Sequence, residues 1–199
     1  MPAPAPRVAG AVLCGGASTR MGQDKALLEV AGTPMAALVA AALRAAGATE
    51  VFAVGGNADA LGAAGLTVRP DAWPGAGPLA ATVTALEVAA EPIVVVLACD
   101  LLHPSAAAIT ATVDSLVAVP AAHGAVPVHD GHRQWVHVAW RATAARALRE
   151  AYERGVRSLR RAAPGLALVE VPGLPADALM DADGPGDLPM QHGARGRRL

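Results

Sequence analysis

The chain has 199 residues, 53% of them hydrophobic but only 3% aromatic, and its 16 basic and 17 acidic side chains leave a formal net charge of -1. This length suits one compact domain whose core is built from small aliphatic side chains and tolerates little added volume. Near-neutral charge excludes the broad positive field that nucleic acid or an anionic membrane requires, so a phosphate ligand has to be met by local charge.

Residues 1–7 open with Pro2, Pro4 and Pro6 and read as a disordered lead; residues 1–6 carry no basic side chain, which argues against a secretory leader. The apolar stretch 8–13 reads as a buried first strand and is far short of the roughly 20 residues that cross a bilayer. Cys14 and Cys99, with no further cysteines, fit a reducing cytosol and a cytoplasmic protein. Thr33-Pro34, an Ala/Leu-rich stretch and Gly47 predict a helix over 34–46, with Thr33 as N-cap, followed by a strand over 50–54.

A third strand is predicted over 66–69 and a helix from Pro78 to about residue 90. Ile93-Val-Val-Val-Leu97 is apolar and β-branched, as a central parallel strand covered on both faces should be, and it runs into Cys99-Asp100. Ser105 and Thr143 read as caps of two further helices, the second stopping near Gly155. Between them, strands over 125–128 and 133–140 flank the turn signal Asp130-Gly131, and 166–171 closes the series. Strands alternating with helices imply βαβ units and a three-layer α/β, Rossmann-like domain with a mostly parallel sheet spanning 8–188, then a flexible tail over 189–199. Ligands of such sheets bind beyond the carboxyl ends of the strands, which places residues 14–25, 55–57, 71–78 and Asp100 on one rim, with strands one and four adjacent.

The strongest motif is Leu13-Cys-Gly-Gly-Ala-Ser-Thr-Arg-Met-Gly-Gln-Asp-Lys-Ala-Leu27, directly after the first strand. Its glycines let backbone N–H groups turn toward phosphates, while Arg20 and Lys25 supply the charge a triphosphate demands. The spacing is neither that of a P-loop nor of a G-x-G-x-x-G dinucleotide fingerprint. Asp100, at the end of a buried strand, suits Mg²⁺, which prefers one or two carboxylates plus substrate phosphates. The six histidines match no zinc spacing and read as polar surface residues.

This pattern resembles the signature loop of the molybdenum cofactor guanylyltransferase family, Leu-Ala-Gly-Gly followed by Arg-Met-Gly and Asp-Lys, with Cys14 in place of an alanine. The likeness continues in order through Arg69-Pro-Asp-Ala-Trp-Pro-Gly-Ala-Gly-Pro-Leu79, Ala98-Cys-Asp-Leu-Leu-His-Pro104, the later segments around Val136-His-Val-Ala-Trp140 and Arg154-Gly-Val-Arg-Ser-Leu159, and Met180-Asp-Ala-Asp-Gly-Pro-Gly-Asp-Leu188. The resemblance implies transfer of GMP from GTP to molybdopterin with release of pyrophosphate. It implies nucleotide contacts from Leu13, Cys14, Gly15, Gly16, Lys25, Gly55, Asn57, Asp71 and Asp100, catalytic roles for Arg20, Lys25 and Asp100, and Mg²⁺ on Asp100 helped by Asp183. Molybdoenzymes or other cofactor-assembly proteins are the partners it suggests; nucleic acid and membrane are not. Cytidylyl transfer to the same pterin, another small-substrate nucleotidyltransferase and a GTP-binding protein without turnover remain open; the Gln23-Asp24-Lys25 form of the loop leans toward the guanylyl branch.

Overall fold

The computed structural model describes residues 6–15 and 24–182. Ten strands and six helices follow in the order β1 (Val8–Leu13), β2 (Glu29–Val30), β3 (Thr33–Pro34), α1 (Met35–Ala45), β4 (Glu50–Val54), α2 (Ala58–Ala63), β5 (Thr67–Arg69), α3 (Pro78–Val88), β6 (Ile93–Ala98), α4 (Ala106–Val117), β7 (Gly124–His129), β8 (His132–Arg133), β9 (His137–Arg141), α5 (Ala144–Glu153), α6 (Leu159–Ala162) and β10 (Leu168–Val171). Two short 3₁₀ turns, Lys25–Leu27 between β1 and β2 and Asp177–Leu179 after β10, complete the described elements.

The main sheet runs β10-β7-β9-β6-β1-β4-β5, with β8 paired to β7 and a separate ribbon of β2 and β3. β1 pairs in parallel with β4 and β6, and β5 and β10 extend the sheet in the same sense; β9 alone on this path runs antiparallel, between β6 and β7. The sheet is therefore mostly parallel, and strands one and four of the sequence reading, β1 and β6, are neighbours.

Side chains alternate across the strands and build two cores. Val8 and Val12 of β1, with Ile93, Val95 and Leu97 of β6, pack against Val39 and Leu43 of α1, Leu61 of α2 and Val113 and Leu116 of α4. Ala9, Ala11 and Leu13, with Val94 and Val96, face Leu79 and Val83 of α3, Leu148 of α5 and Leu159 of α6. Burial on both faces explains why β1 and β6 read as continuous apolar runs. Gly10 has a steric reason: a Cβ there would lie 2.8 Å from Leu43 Cδ1, so only glycine lets α1 approach β1 this closely.

Three local expectations change. Thr33 belongs to β3 and does not cap α1; Pro34 occupies the N-cap with no side-chain hydrogen bond. Thr143 sits at the N-cap of α5 but its hydroxyl makes no capping bond, whereas Ser105 Oγ accepts from Ala108 N at 3.3 Å as expected. The strand expected over 133–140 is broken into β8 and β9, with Gln134–Val136 between them.

Candidate functional site

The carboxyl ends of β1, β4 and β5 meet at a cleft of about 650 Å³ lined by Gly15, Asp24, Gly55, Asn57, Asp71 and Pro74 among others. Cys14 N and Gly15 N both donate to Val54 O, at 3.0 and 3.1 Å, and Gly55 N donates to Arg69 O at 3.0 Å, so the three strand ends are tied together. Gly55 has φ +70°, and a Cβ on it would stand 3.0 Å from Gly15 Cα. Both the left-handed backbone and the close approach demand glycine there.

Of the expected nucleotide-binding residues, Cys14, Gly15, Gly55, Asn57 and Asp71 line this one cleft. Leu13 does not: its side chain is buried in the core facing α3, leaving only its backbone for a ligand. Asn57 has a structural task as well, since its Oδ1 accepts from Ala60 N at 3.0 Å and caps α2. Asp71 Oδ1 accepts from Trp73 N at 3.0 Å. Gly16, Arg20 and Asp183 lie outside the described residues, as does the tail 189–199.

Asp24 Oδ1 accepts from Ala26 N at 3.0 Å and starts the 3₁₀ turn that carries Lys25. Lys25 Nζ lies 3.0 Å from Asp100 Oδ2 and donates to Ala182 O at 2.6 Å. Asp100 stands just past the end of β6, next to the end of β1 through the pairing Leu13↔Ala98. A crossing segment closes over it: Ala182 N donates to Asp100 O at 2.8 Å, Leu102 N donates to Met180 O at 3.0 Å, and Leu101 bridges Asp181. Thus a cation, a carboxylate and the C-terminal segment converge at the rim.

Among the described residues no group of three or more His, Cys, Asp or Glu side chains is placed to hold a metal ion by itself. One carboxylate at the rim, paired with Lys25, fits a hard divalent cation that keeps most of its coordination for water and phosphate oxygens, and it does not fit zinc.

A further residue departs from the sequence reading. His137, expected at the surface, is 3% exposed. β9 turns it inward beneath the crossing segment, and its Nε2 lies 3.2 Å from Asp181 Oδ1, off line for a hydrogen bond. Trp140, in one of the later segments that carry the resemblance, is fully buried in the core and out of reach of a substrate. Cys14 and Cys99 are free thiols on adjacent strand ends. A hydrogen bond with Cys14, then burial, hold the Cys99 thiol well above its ordinary titration range. Sequence reasoning missed the Ala182 carbonyl and the buried Thr84, which lies 3.2 Å from Asp71 Oδ1. No motif marks a backbone acceptor, and a helix-borne threonine gives no signal of its own.

A doubly covered, mostly parallel sheet with a glycine-lined cleft, a lysine and a strand-end carboxylate at its carboxyl rim defines a nucleotidyltransferase-type domain. The chain belongs to the MobA-like NTP transferase domain family, whose model matches residues 10–168. It is 48% identical over 65 residues to the molybdenum cofactor guanylyltransferase of Xanthomonas euvesicatoria, covering 33% of each chain, and 36% identical over 95 residues to that of Serratia proteamaculans, covering 47% of this chain and 48% of the other. The chain thus spans less than half the length of the curated relatives it matches. The crystal structure of molybdopterin-guanine dinucleotide biosynthesis protein A from Archaeoglobus fulgidus superposes with a TM-score of 0.74 at 20% identity, over 90% of this chain and 94% of that one; at this identity the likeness speaks for the fold.

Proposed function

We propose that the protein transfers the GMP unit of GTP to the terminal phosphate of molybdopterin and releases pyrophosphate, in the cytosol. The Lys25–Asp100 pair, which does not line the cleft itself but follows the cleft residue Asp24 and the end of β6 on the same rim, carries this reading: it joins the charge a triphosphate needs to the carboxylate a hard cation needs. The nucleoside would lie in the cleft against Gly15, Gly55, Asn57 and Asp71, and the pterin would enter from the side of the crossing segment. Arg20 and Gly16 of the loop, and Asp183 beyond the crossing segment, belong to the same proposal.

The attacking group is a pterin phosphate oxygen, already anionic, so no residue has to act as general base. It would attack the α-phosphorus of GTP, the bond to the β-phosphate oxygen would break, and the electron pair would leave with pyrophosphate. Lys25 would exchange Asp100 for the triphosphate and stabilise the departing pyrophosphate, while Arg20 would neutralise the same charge from the loop. Asp100, freed of Lys25, would hold Mg²⁺ together with phosphate oxygens, and Asp183 would assist. The metal supplies charge neutralisation and in-line orientation when bound.

Incubating the protein with each of the four NTPs, molybdopterin and Mg²⁺ and measuring pyrophosphate tests the proposal. GTP should support release at least tenfold better than CTP, a discrimination of about 1.4 kcal/mol. Equal or better use of CTP would make it a cytidylyl enzyme, and nucleotide binding without pyrophosphate would make it a non-catalytic GTP-binding protein.

A further inference from the structure

Asp71 reaches the cleft from the carboxyl end of β5, and its two oxygens stand in different situations. Oδ1 accepts from Trp73 N at 3.0 Å and lies 3.2 Å from the Thr84 hydroxyl. Oδ2 makes no hydrogen bond among the described residues. It lies beside Gly15, which lines the same cleft, 3.5 Å from where a Cβ on that glycine would stand. One oxygen is therefore spent on the protein and the other is presented to the cleft.

The support comes from the core. Thr84 is 2% exposed on α3. Its oxygen accepts from Ala72 N at 3.2 Å, and its single proton is shared between Asp71 Oδ1 and Ala80 O, each 3.2 Å away. Residues 71 and 72 are thus pinned to a buried helix and not merely to their own loop. Farther along the loop, the Trp73 ring lies 5.0 Å from that of Tyr152 and 4.9 Å beneath the guanidinium of Arg149, which Glu87 of α3 holds at 2.6 Å. The carboxylate is fixed by packing behind the site.

We infer that Thr84 is a positioning residue for nucleotide selection: by holding Asp71 Oδ1 it directs Oδ2 to accept one hydrogen bond from the nucleoside part of the substrate. A carboxylate with one oxygen engaged internally reads a single donor and not a bidentate edge. This rests on the proposal that the cleft holds the nucleotide. The donor is an N–H of the base or a ribose hydroxyl, and substrate analogues separate the two.

The test is calorimetric binding of GTP, ITP and 2′-deoxyGTP to the full chain and to T84V, T84S, D71A and the double variant D71A/T84V, with melting temperatures to confirm folding. T84V should bind GTP roughly tenfold more weakly, as loss of a hydrogen bond to a charged group implies, while T84S restores wild-type affinity. In turnover, T84V should raise KM with little change in kcat, because Asp71 lies away from the reacting phosphorus. D71A/T84V should bind no more weakly than D71A, since Thr84 acts through that carboxylate. The analogue lacking the donor that Asp71 reads should bind wild type and T84V alike: ITP if it is the 2-amino group, 2′-deoxyGTP if it is the 2′-hydroxyl. An undiminished T84V penalty in the D71A background, or none in wild type, overturns the role of Thr84 while leaving the nucleotide site standing. Absence of GTP binding by wild type overturns the nucleotide reading itself, and the inference with it.

Discussion

Lys25 and Asp100, 75 residues apart in sequence, meet at 3.0 Å, and the same ammonium donates to Ala182 O at 2.6 Å. Each partner is about one-fifth exposed. A cation so placed joins the 3₁₀ turn Lys25–Leu27, the end of β6 and the crossing segment. In the proposed reaction it must change partners, from a carboxylate to a triphosphate, as Asp100 takes up the metal.

Replacing Lys25 by alanine should therefore do two things. Turnover should slow and the GTP requirement rise, as loss of a phosphate clamp predicts. Amide exchange at Ala182, whose N–H donates to Asp100 O, should accelerate, because the crossing segment loses its tie to the lysine. Unchanged exchange at Ala182 would mean that Lys25 does not hold the segment down.

The thiol pair makes a pH prediction. The Cys99 titration lies well above its ordinary value of 9.0, chiefly through the hydrogen bond with Cys14. The folded state thus keeps this proton more tightly than the unfolded chain does, and the stability that follows is complete below the ordinary thiol range. It is lost as pH rises through the folded titration. Alkylation of Cys99 by iodoacetamide should stay slow at neutral pH, and Cys14→Ala, which removes the first cause, should bring its onset to lower pH. Identical alkylation profiles in wild type and Cys14→Ala would contradict this.

At the opposite end of the sheet, Glu91 is 5% exposed, and its Oε1 accepts from Arg7 at 2.7 Å and from Thr49 Oγ at 3.0 Å. Glu91→Ala removes a buried acceptor from two exposed donors, Arg7 and Thr49, which water can then satisfy, and should cost about 1 kcal/mol in denaturant unfolding. KM for GTP should not move, since this network lies away from the carboxyl rim. A change in KM without loss of stability would refute the separation of scaffold from site.

Much of the scaffold was legible because β1, β4, β6 and α3 follow from apolar runs and their punctuation. What was missed had competing local signals. α2 is short and contains Gly62, and Asn57, read as a ligand contact, is also its N-cap. Thr33-Pro34 carries the pattern of a helix start, yet pairing of Val30 with Thr33 draws the threonine into a ribbon. His137 looked polar in sequence, but its fate was decided by β9 lying between β6 and β7, a tertiary fact. For the site, spacing pointed to the loop and to Asp100, while the Lys25–Asp100 contact and the support of Asp71 by Thr84 depend on folds of the chain that no local pattern encodes.

Pyrophosphate release by Asp100→Asn, with GTP, molybdopterin and Mg²⁺, measures the central claim most directly. The substitution keeps the shape of the side chain and a hydrogen-bond acceptor for Lys25, but removes the charge that would hold the metal and oppose the ammonium. Turnover should fall at least a hundredfold, or roughly 2.7 kcal/mol of transition-state stabilisation, with little change in melting temperature. Near-normal pyrophosphate release from a well-folded Asp100→Asn protein would contradict the account and place the chemistry elsewhere.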